Sequence, residues 1–133
     1  MVWLMRVAMI LMLGSFGISL VRAEVSDFPT PDIEIWLSEG IGRFGDFEFS
    51  VLGGKPDHPT PRGAFQIEWK SRSWWSKQFN APMPYSQFFS GGSAIHEGSL
   101  SYMSHGCLHV SKSAARYLYY ATREKTTRVF VYP

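Results

Sequence analysis

The only cysteine of the chain, Cys107, shares a window of 14 residues with three of the four histidines, His96, His105 and His109. A thiol is mostly protonated at neutral pH, and an imidazole within hydrogen-bond reach can take its proton. The window therefore predicts a cysteine nucleophile with a histidine as its base. Gly106 would let the backbone approach a substrate carbonyl, and the amides around Cys107 would donate to the oxyanion.

The same four side chains leave two other interpretations open. If residues 105–109 are extended, His105, Cys107 and His109 project from one face, and with His96 they form a Cys/His3 set for zinc. Ligands one residue apart are unlike the usual zinc spacing, and the chain has no second cysteine. The other interpretation is structural, with Cys107 as a small buried side chain. Its polar and glycine neighbours argue against an apolar core strand.

The first 23 residues have the layout of a secretory signal peptide. Arg6 precedes an apolar run over 7–21, and Ala23 places a small residue at the cleavage position. The run is shorter than the roughly 20 apolar residues that span a bilayer, and an uncleaved anchor is the alternative. We therefore expect a signal peptide at 1–23 and an exported domain at 24–133, with no stable membrane span after cleavage. In an oxidising compartment a lone thiol is expected to be buried or used.

Composition indicates a small folded domain that is rich in strands. The chain has 133 residues, of which 45% are hydrophobic, 18% charged and 16% aromatic, with 12 Gly and 8 Pro. This mixture favours short strands and turns over a helical bundle. The formal net charge is +2, and loss of Arg6 and Arg22 would bring it to zero. No nucleic-acid partner is expected at this charge.

Alternation of apolar and polar residues predicts the strands. We predict strands at 33–37, 47–51, 65–69 and 129–132. Gly40, Gly42 and Gly45 predict turns between the first two strands. The segment 70–80 shows no clear period, and 96–110 is predicted as a loop with a short strand.

One helix is predicted after the Cys/His window. Ser111 is a candidate N-cap, and the helix would run through about Thr122. The apolar spacing places four residues on its buried side: Ala114, Ala115, Leu118 and Tyr119. The pattern as a whole predicts a single, mainly β domain with one principal helix.

Four ordered segments resemble the L,D-transpeptidase catalytic domain family of the YkuD type. The segment Ala94-Ile95-His96 followed by Ser104-His105-Gly106-Cys107 is similar to the family signature. Upstream, Gly54-Lys55-Pro56 and then Thr60-Pro61-Arg62-Gly63-Ala64-Phe65 resemble its Gly-Lys and Thr-Pro segments. Met83-Pro84-Tyr85 resembles its Met-Pro-Tyr segment.

The resemblance implies a YkuD-like β-sandwich at 24–133 and a set of site residues. Cys107 would be the nucleophile and His96 its base, with the imidazole oriented by the backbone carbonyl of Glu97. His105 would shape the pocket, and the backbone of residues 105–107, including Gly106, would form the oxyanion hole. Four further residues are candidates for substrate binding: Ser104, His109, Tyr85 and Arg62.

The resemblance also implies a reaction outside the cytoplasm, in the periplasm or cell envelope. Cys107 would attack the carbonyl of the L-centre of the third residue of a peptidoglycan stem peptide and expel D-alanine. The thioester would pass to an amine of a second stem, to water in an L,D-carboxypeptidase reaction, or to a protein amine. No cofactor or metal is required by such chemistry.

Two departures from the family pattern bear on activity. The spacer between His96 and Ser104 is short, which predicts a smaller or more open lid. His109 stands where the family usually has Arg, or Asn in some members, and neutral His cannot reproduce the planar fork of Arg. These departures favour, as an alternative, a cell-wall-binding module that has lost efficient turnover. A metal-binding periplasmic protein is the third hypothesis.

Overall fold

A computed structural model describes residues 31–133, so the predicted signal peptide and the start of the domain at 24 lie outside the described residues. Within this part the chain forms nine strands and one helix. In chain order they are β1 (Ile33–Trp36), β2 (Ile41–Phe44), β3 (Phe47–Ser50), β4 (Gly63–Gln66), β5 (Trp69–Ser76), β6 (Ala81–Ser90), β7 (Ser93–Glu97), β8 (Leu108–Val110), α1 (Lys112–Ala121) and β9 (Arg128–Tyr132).

The strands form two sheets, which confirms the prediction of a mainly β fold with one principal helix. One sheet has the order β3-β2-β1-β9-β4 and the other the order β5-β6-β7-β8. The pairs β1–β9 and β7–β8 are parallel, whereas the other named pairs are antiparallel. The parallel pair β7–β8 carries His96 on β7 and His109 on β8, and Cys107 directly precedes β8.

The hydrophobic core takes side chains from both sheets and from α1. Ile33 and Ile35 of β1 and Val129 of β9 are fully buried, as the alternation of these strands predicts. From the other sheet, Ile95 and Leu108 enter the same cluster. This core fixes the positions of β7 and β8, because one face of each strand is anchored in it.

The helix begins and ends where the sequence predicts. The Ser111 side chain accepts a hydrogen bond from the amide of Ala114 at 3.2 Å, which satisfies one of the free amides of the first turn. At the other end Thr122 is the C-cap. Ala114, Ala115 and Leu118 are buried, and Tyr119 is partly buried against the core.

The turn prediction at Gly42 is wrong, because this residue lies inside β2. A Cβ atom here would overlap the ring of Phe49 and come within 2.9 Å of Ile35 Cδ1. Gly42 therefore allows close packing within the sheet and does not form a turn.

The sequence also misplaces the border between the third predicted strand and the segment that follows. Trp69 begins β5 instead of ending the preceding strand, and the aperiodic segment 70–80 contains most of β5. Strand β5 lacks simple alternation of buried and exposed residues because most of its residues are exposed. Its partner β6 is irregular too, since Tyr85 in its middle has a φ of 55°. A residue in the left-handed region interrupts the regular pleat of a strand.

Candidate active site

The parallel register of β7 and β8 brings the Cys/His window together on one face. His96 is paired with His109, and the same register, continued to the residue just before β8, puts Cys107 opposite Ala94. Side chains two residues apart share a face. The alternate residues, such as Ile95, face the core. The chemistry-bearing side chains are therefore on the outer face of this sheet.

Cys107 and His96 are diagonal neighbours on adjacent strands. Strand spacing and rise put their Cα atoms roughly 8 Å apart, a gap that a thiol and an imidazole can span. Both side chains line the same cavity, of about 840 Å³. The topology thus brings together the predicted nucleophile and its predicted base.

A backbone carbonyl orients the imidazole of His96. Its Nδ1–H donates to the carbonyl oxygen of Glu97, with a distance of 2.7 Å. The pKa of His96 is lowered to about 4, mainly by burial, with a smaller contribution from the neighbouring His109, while the bond to Glu97 opposes the shift. At neutral pH the ring is uncharged, and Nε2 is left to accept a proton.

The thiol of Cys107 has one apolar side and one polar contact. It packs against the cluster of Met83, Phe88 and Ala94, and its Sγ–H donates to the carbonyl of Gly92 at 3.7 Å. Burial raises the pKa of Cys107, and the backbone amide of Ala94 partly offsets this rise. The resting pair is therefore a neutral thiol beside a neutral imidazole. Such a thiol needs a base at the moment of attack.

Ser104 closes the turn that leads into Cys107. Its Oγ accepts from the amide of Gly106 at 3.1 Å and donates to the carbonyl of Cys107 at 2.5 Å. Gly106 is buried and has a φ of 124°, a conformation that side chains rarely adopt. Ser104 is thus a link within the loop, and it occupies the Gly106 amide.

The Gly-Lys segment packs directly against this turn. The Ser104 amide donates to the carbonyl of Gly53 at 3.1 Å, and the Lys55 amide donates to the carbonyl of Ser104 at 2.9 Å. The buried hydroxyl of Thr60 accepts from the Gly54 amide at 2.9 Å. Three segments that are separate in the sequence therefore form one framework around the cysteine.

Comparisons with known proteins identify the family. The family model of the L,D-transpeptidase catalytic domain (YkuD) matches residues 34–131. This chain belongs to that family. The expected resemblance is confirmed. Among curated proteins, none matches the chain.

Several solved L,D-transpeptidases share the fold. One from Stackebrandtia nassauensis has 24% identity and a TM-score of 0.68, with 76% of this chain and 54% of that chain covered. One from Xylanimonas cellulosilytica has 26% identity and a TM-score of 0.66, with 79% and 64% covered. An L,D-transpeptidase in complex with imipenem has 21% identity and a TM-score of 0.66, with 75% and 57% covered. This chain spans just over half to just under two thirds of their lengths.

His105 belongs to the segment that resembles the family signature. It lies between two aromatic rings that line the cavity. Phe79 stacks on it with ring centroids 4.3 Å apart, and His58 meets it edge-on at 5.4 Å. All three residues line the cavity. His58 and Phe79 were not among the predicted site residues. Only tertiary packing brings the proline-rich segment around His58, and the segment before β6 that contains Phe79, close to His105.

His109 is tied to the short spacer that follows β7. Its Nδ1–H donates to the carbonyl of Ser99 at 2.9 Å, and its ring meets that of His96 edge-on at 4.8 Å. The ring also lies against Gly98, where a Cβ would come within 2.9 Å of its Nε2. His109 therefore lies beside the predicted base and lines the cavity.

The structure does not bring Tyr85 or Arg62 to the cavity. The side chain of Tyr85 is buried, with edge-on contacts to Tyr119 and Tyr120. Arg62 borders a separate small surface pocket beside Thr60 and the C-terminal Pro133. A residue that the sequence analysis passed over, Lys112 at the start of α1, does line the cavity.

The alternative zinc set is not assembled as a cluster. His105 is held by Phe79 and His58 at the mouth, away from the pair formed by His96 and His109. Within residues 31–133, no group of three or more His, Cys, Asp or Glu side chains is placed to hold a metal ion. In the same part of the chain, the helix is too short and polar to cross a bilayer.

Proposed function

We propose that this chain is a cysteine-dependent L,D-transpeptidase that acts on peptidoglycan stem tetrapeptides. The observation that carries the proposal is the placement of Cys107 and His96 on one face of β7 and β8, in one cavity. The bond from His96 Nδ1 to Glu97 supports the assignment of His96 as base, because it leaves Nε2 as the proton acceptor.

In the first step the sulfur of Cys107 attacks the carbonyl carbon at the L-centre of the third stem residue. His96 Nε2 takes the thiol proton as the C–S bond forms, and the carbonyl oxygen becomes an oxyanion. The C–N bond to D-alanine then breaks, and His96 returns its proton to the departing amine. A thioester on Cys107 and free D-alanine result.

In the second step an acceptor amine attacks the thioester. His96 takes a proton from the amine, the C–S bond breaks, and the sulfur leaves and is reprotonated. An amine from a second stem gives a cross-link, and water in the same position gives a trimmed tripeptide. The neutral resting pair suits this role, since an uncharged imidazole is ready to accept a proton in both steps.

The amide of Cys107 is the main candidate for the oxyanion donor. The resemblance implied that the backbone of residues 105–107 shares this role, but the Gly106 amide already donates to Ser104 Oγ. Ser104 therefore acts on the loop and not on substrate in this proposal. A pre-positioned amide lowers the barrier because it needs no reorganisation when negative charge develops.

Charge in the cavity supports recognition of a stem peptide. Among its lining residues, Lys112 is the single Lys or Arg and Glu97 the single carboxylate. We assign Lys112, with His109, to a substrate carboxylate, and Glu97 to the acceptor amine. The spacer over the cavity exposes Leu100, Tyr102 and Met103, as an open lid would. Export to the periplasm or cell envelope, with cleavage after Ala23, completes the proposal.

The test has two readouts on the domain without its predicted signal peptide. Imipenem is the first probe, and intact mass should show one adduct on wild type and none on Cys107→Ala. Tetrapeptide muropeptides are the second, and wild type should release D-alanine while Cys107→Ala does not. Imipenem labelling without D-alanine release would favour the degenerate wall-binding module. Absence of both would contradict the assigned chemistry.

A further inference from the structure

The outer face of the β5–β8 sheet carries a second feature, at the end away from His96. Trp69 and Trp74 of β5 and Phe88 of β6 form a contiguous aromatic cluster, which we call the aromatic platform. Trp69 and Phe88 stack with centroids 3.9 Å apart and planes at 8°. Trp74 meets both rings edge-on, at 5.2 Å and 5.8 Å.

The platform is rigid below and open above. Phe88 is 3% exposed, whereas Trp69 is 38% and Trp74 42% exposed. Trp69 lies flat on Phe88, so one broad indole face is supported and the other is turned to solvent. Large aromatic surfaces left exposed together usually mark an interaction site. Folding alone would favour burial of this area.

The platform is continuous with the catalytic face. Phe88 packs in one cluster with Met83 and Ala94, and Cys107 packs against that cluster. Met83 also lines the cavity. A substrate that reaches Cys107 along this face would therefore pass beside Trp69 and Trp74.

We propose that the aromatic platform binds the pyranose rings of the glycan strand to which the stem peptides are attached. This inference rests on the proposed function, since it assigns the platform to the polymer that carries the substrate. A pyranose has an apolar C–H face, and a fixed, flat indole offers a matching surface whose electron-rich face attracts those C–H groups. Glycan contact would hold the enzyme on the wall while the cavity selects the stem.

The surroundings favour a sugar over a lipid surface. Interfacial binding to anionic lipid needs basic side chains free to reach headgroups. Two of the three basic residues in and next to β5 are engaged elsewhere. Lys70 donates to the carbonyls of Tyr119 at 2.6 Å and Thr122 at 2.8 Å, and Arg72 lies over the Tyr85 ring at 6.0 Å from its centroid. Lys77, which follows β5, is the exposed third. Trp69 lies flat on Phe88, whereas Trp74 stands edge-on to both rings.

Trp75 supplies a matched control on the same strand. It is 52% exposed, and it follows Trp74 directly. Neighbouring side chains in a strand point to opposite faces, so Trp75 projects away from the platform. Trp75→Ala removes an exposed indole from the same strand without altering the platform.

The experiment measures binding to glycan strands from which an amidase has removed the stem peptides. The double variant Trp69→Ala/Trp74→Ala should bind these strands at least roughly ten-fold more weakly than wild type. Trp75→Ala should bind as wild type does. All three proteins should be labelled by imipenem at the same rate, which also checks that the fold around Cys107 is intact.

A second readout links the platform to turnover. With glycan-linked tetrapeptides, the double variant should show a raised KM and an unchanged kcat, and with free tetrapeptide it should match wild type. Equal binding of stripped glycan by wild type and the double variant would overturn the proposal, as would equal weakening by Trp75→Ala. Binding of phosphatidylglycerol vesicles, lost in the double variant and without any glycan binding, would assign the platform to a membrane instead. If imipenem labelling fails while glycan binding holds, the proposed function fails and the platform stands.

Discussion

The two ends of the outer face of the β5–β8 sheet are held in different ways. At the β7–β8 end, side chains are fixed by hydrogen bonds to backbone atoms, as in His96 to Glu97, His109 to Ser99 and Ser104 to Cys107. At the β5–β6 end, Trp69 and Phe88 are fixed by stacking. Hydrogen bonds set the direction of single atoms, whereas stacking leaves a broad ring face available.

This difference corresponds to two tasks. Proton transfer requires one particular ring nitrogen to be free to accept, and a bond at the opposite ring nitrogen achieves this. Binding of a polymer requires area and tolerates sliding. Changes at the β7–β8 end are therefore expected to alter reaction rates, and changes at the β5–β6 end to alter binding alone.

The largest effect is expected from loss of the base. His96→Ala should slow acylation of Cys107 by imipenem by roughly 10²-fold or more, because no neutral imidazole remains to take the thiol proton. His109→Ala should leave this rate within a few-fold of wild type. Stopped-flow or timed mass spectrometry measures both rates. Equal, small effects of the two substitutions would contradict the assigned roles.

Acid should destabilise the catalytic end. The pKa of His96 is lowered to about 4 in the folded chain from an ordinary 6.5, so the unfolded chain takes up a proton that the folded chain resists. The free energy of unfolding should therefore fall as pH drops from 6.5 to about 4, by at most about 3 kcal/mol.

Urea unfolding at a series of pH values measures this dependence. His96→Gln should lose the part of the slope that His96 supplies, and Trp74→Ala, at the other end of the sheet, should retain it. Identical slopes in wild type and His96→Gln would show that another group carries the acid sensitivity.

A smaller effect is expected from the framework that holds the cysteine loop. Gly54→Ala places a Cβ over the carbonyl oxygen of His58 and 2.9 Å from the Gly106 amide nitrogen, both backbone atoms that cannot move cheaply. Acylation of Cys107 should fall by about ten-fold, as expected when a positioned amide is displaced. Gly53→Ala should slow acylation less, because its Cβ would meet only side-chain atoms, those of Leu37 and Thr60 at 3.0 Å. The acylation rates of the two variants, compared at equal folded fraction, test whether Gly54→Ala slows the reaction more than Gly53→Ala does.

The smallest effect is expected at the substrate cation. Lys112→Gln should raise the KM for tetrapeptide by a few-fold and leave imipenem acylation unchanged, because an exposed ion pair contributes roughly 1 kcal/mol or less. Lys112→Arg should restore most of the loss. A fall in the acylation rate itself would place Lys112 in the chemistry and not in recognition.

Local patterns predicted those parts of the fold that local physics decides. The alternation of β1 and β9 and the cap of α1 at Ser111 are properties of short segments. In β2, by contrast, Gly42 was wrongly predicted to form a turn. A glycine is needed there because the ring of Phe49, on another strand, leaves no room for a Cβ atom, and the local sequence does not show this contact. In β5, most residues are exposed on both faces, so the alternation that would have marked a long strand is missing.

The site shows the same division. One short window supplied His96, His105, Cys107 and His109, because the catalytic strands are close in sequence as well as in space. His58 and Phe79 could not be placed, since their contacts with His105 depend on how distant loops pack. Lys112 could have been identified as a candidate site residue from the sequence. A lysine directly after a helix N-cap interacts unfavourably with the helix dipole, which suggests a role other than stability.

The central claim is that a stem peptide becomes a thioester on Cys107. The most direct measurement is to mix the enzyme with a tetrapeptide in the absence of an acceptor, quench with acid within one turnover, and map the adduct by mass spectrometry. The proposal predicts that Cys107 gains the mass of the tripeptide acyl group as D-alanine appears in equal amount. Release of D-alanine with Cys107 unmodified at every time, and undiminished in Cys107→Ala, would contradict it.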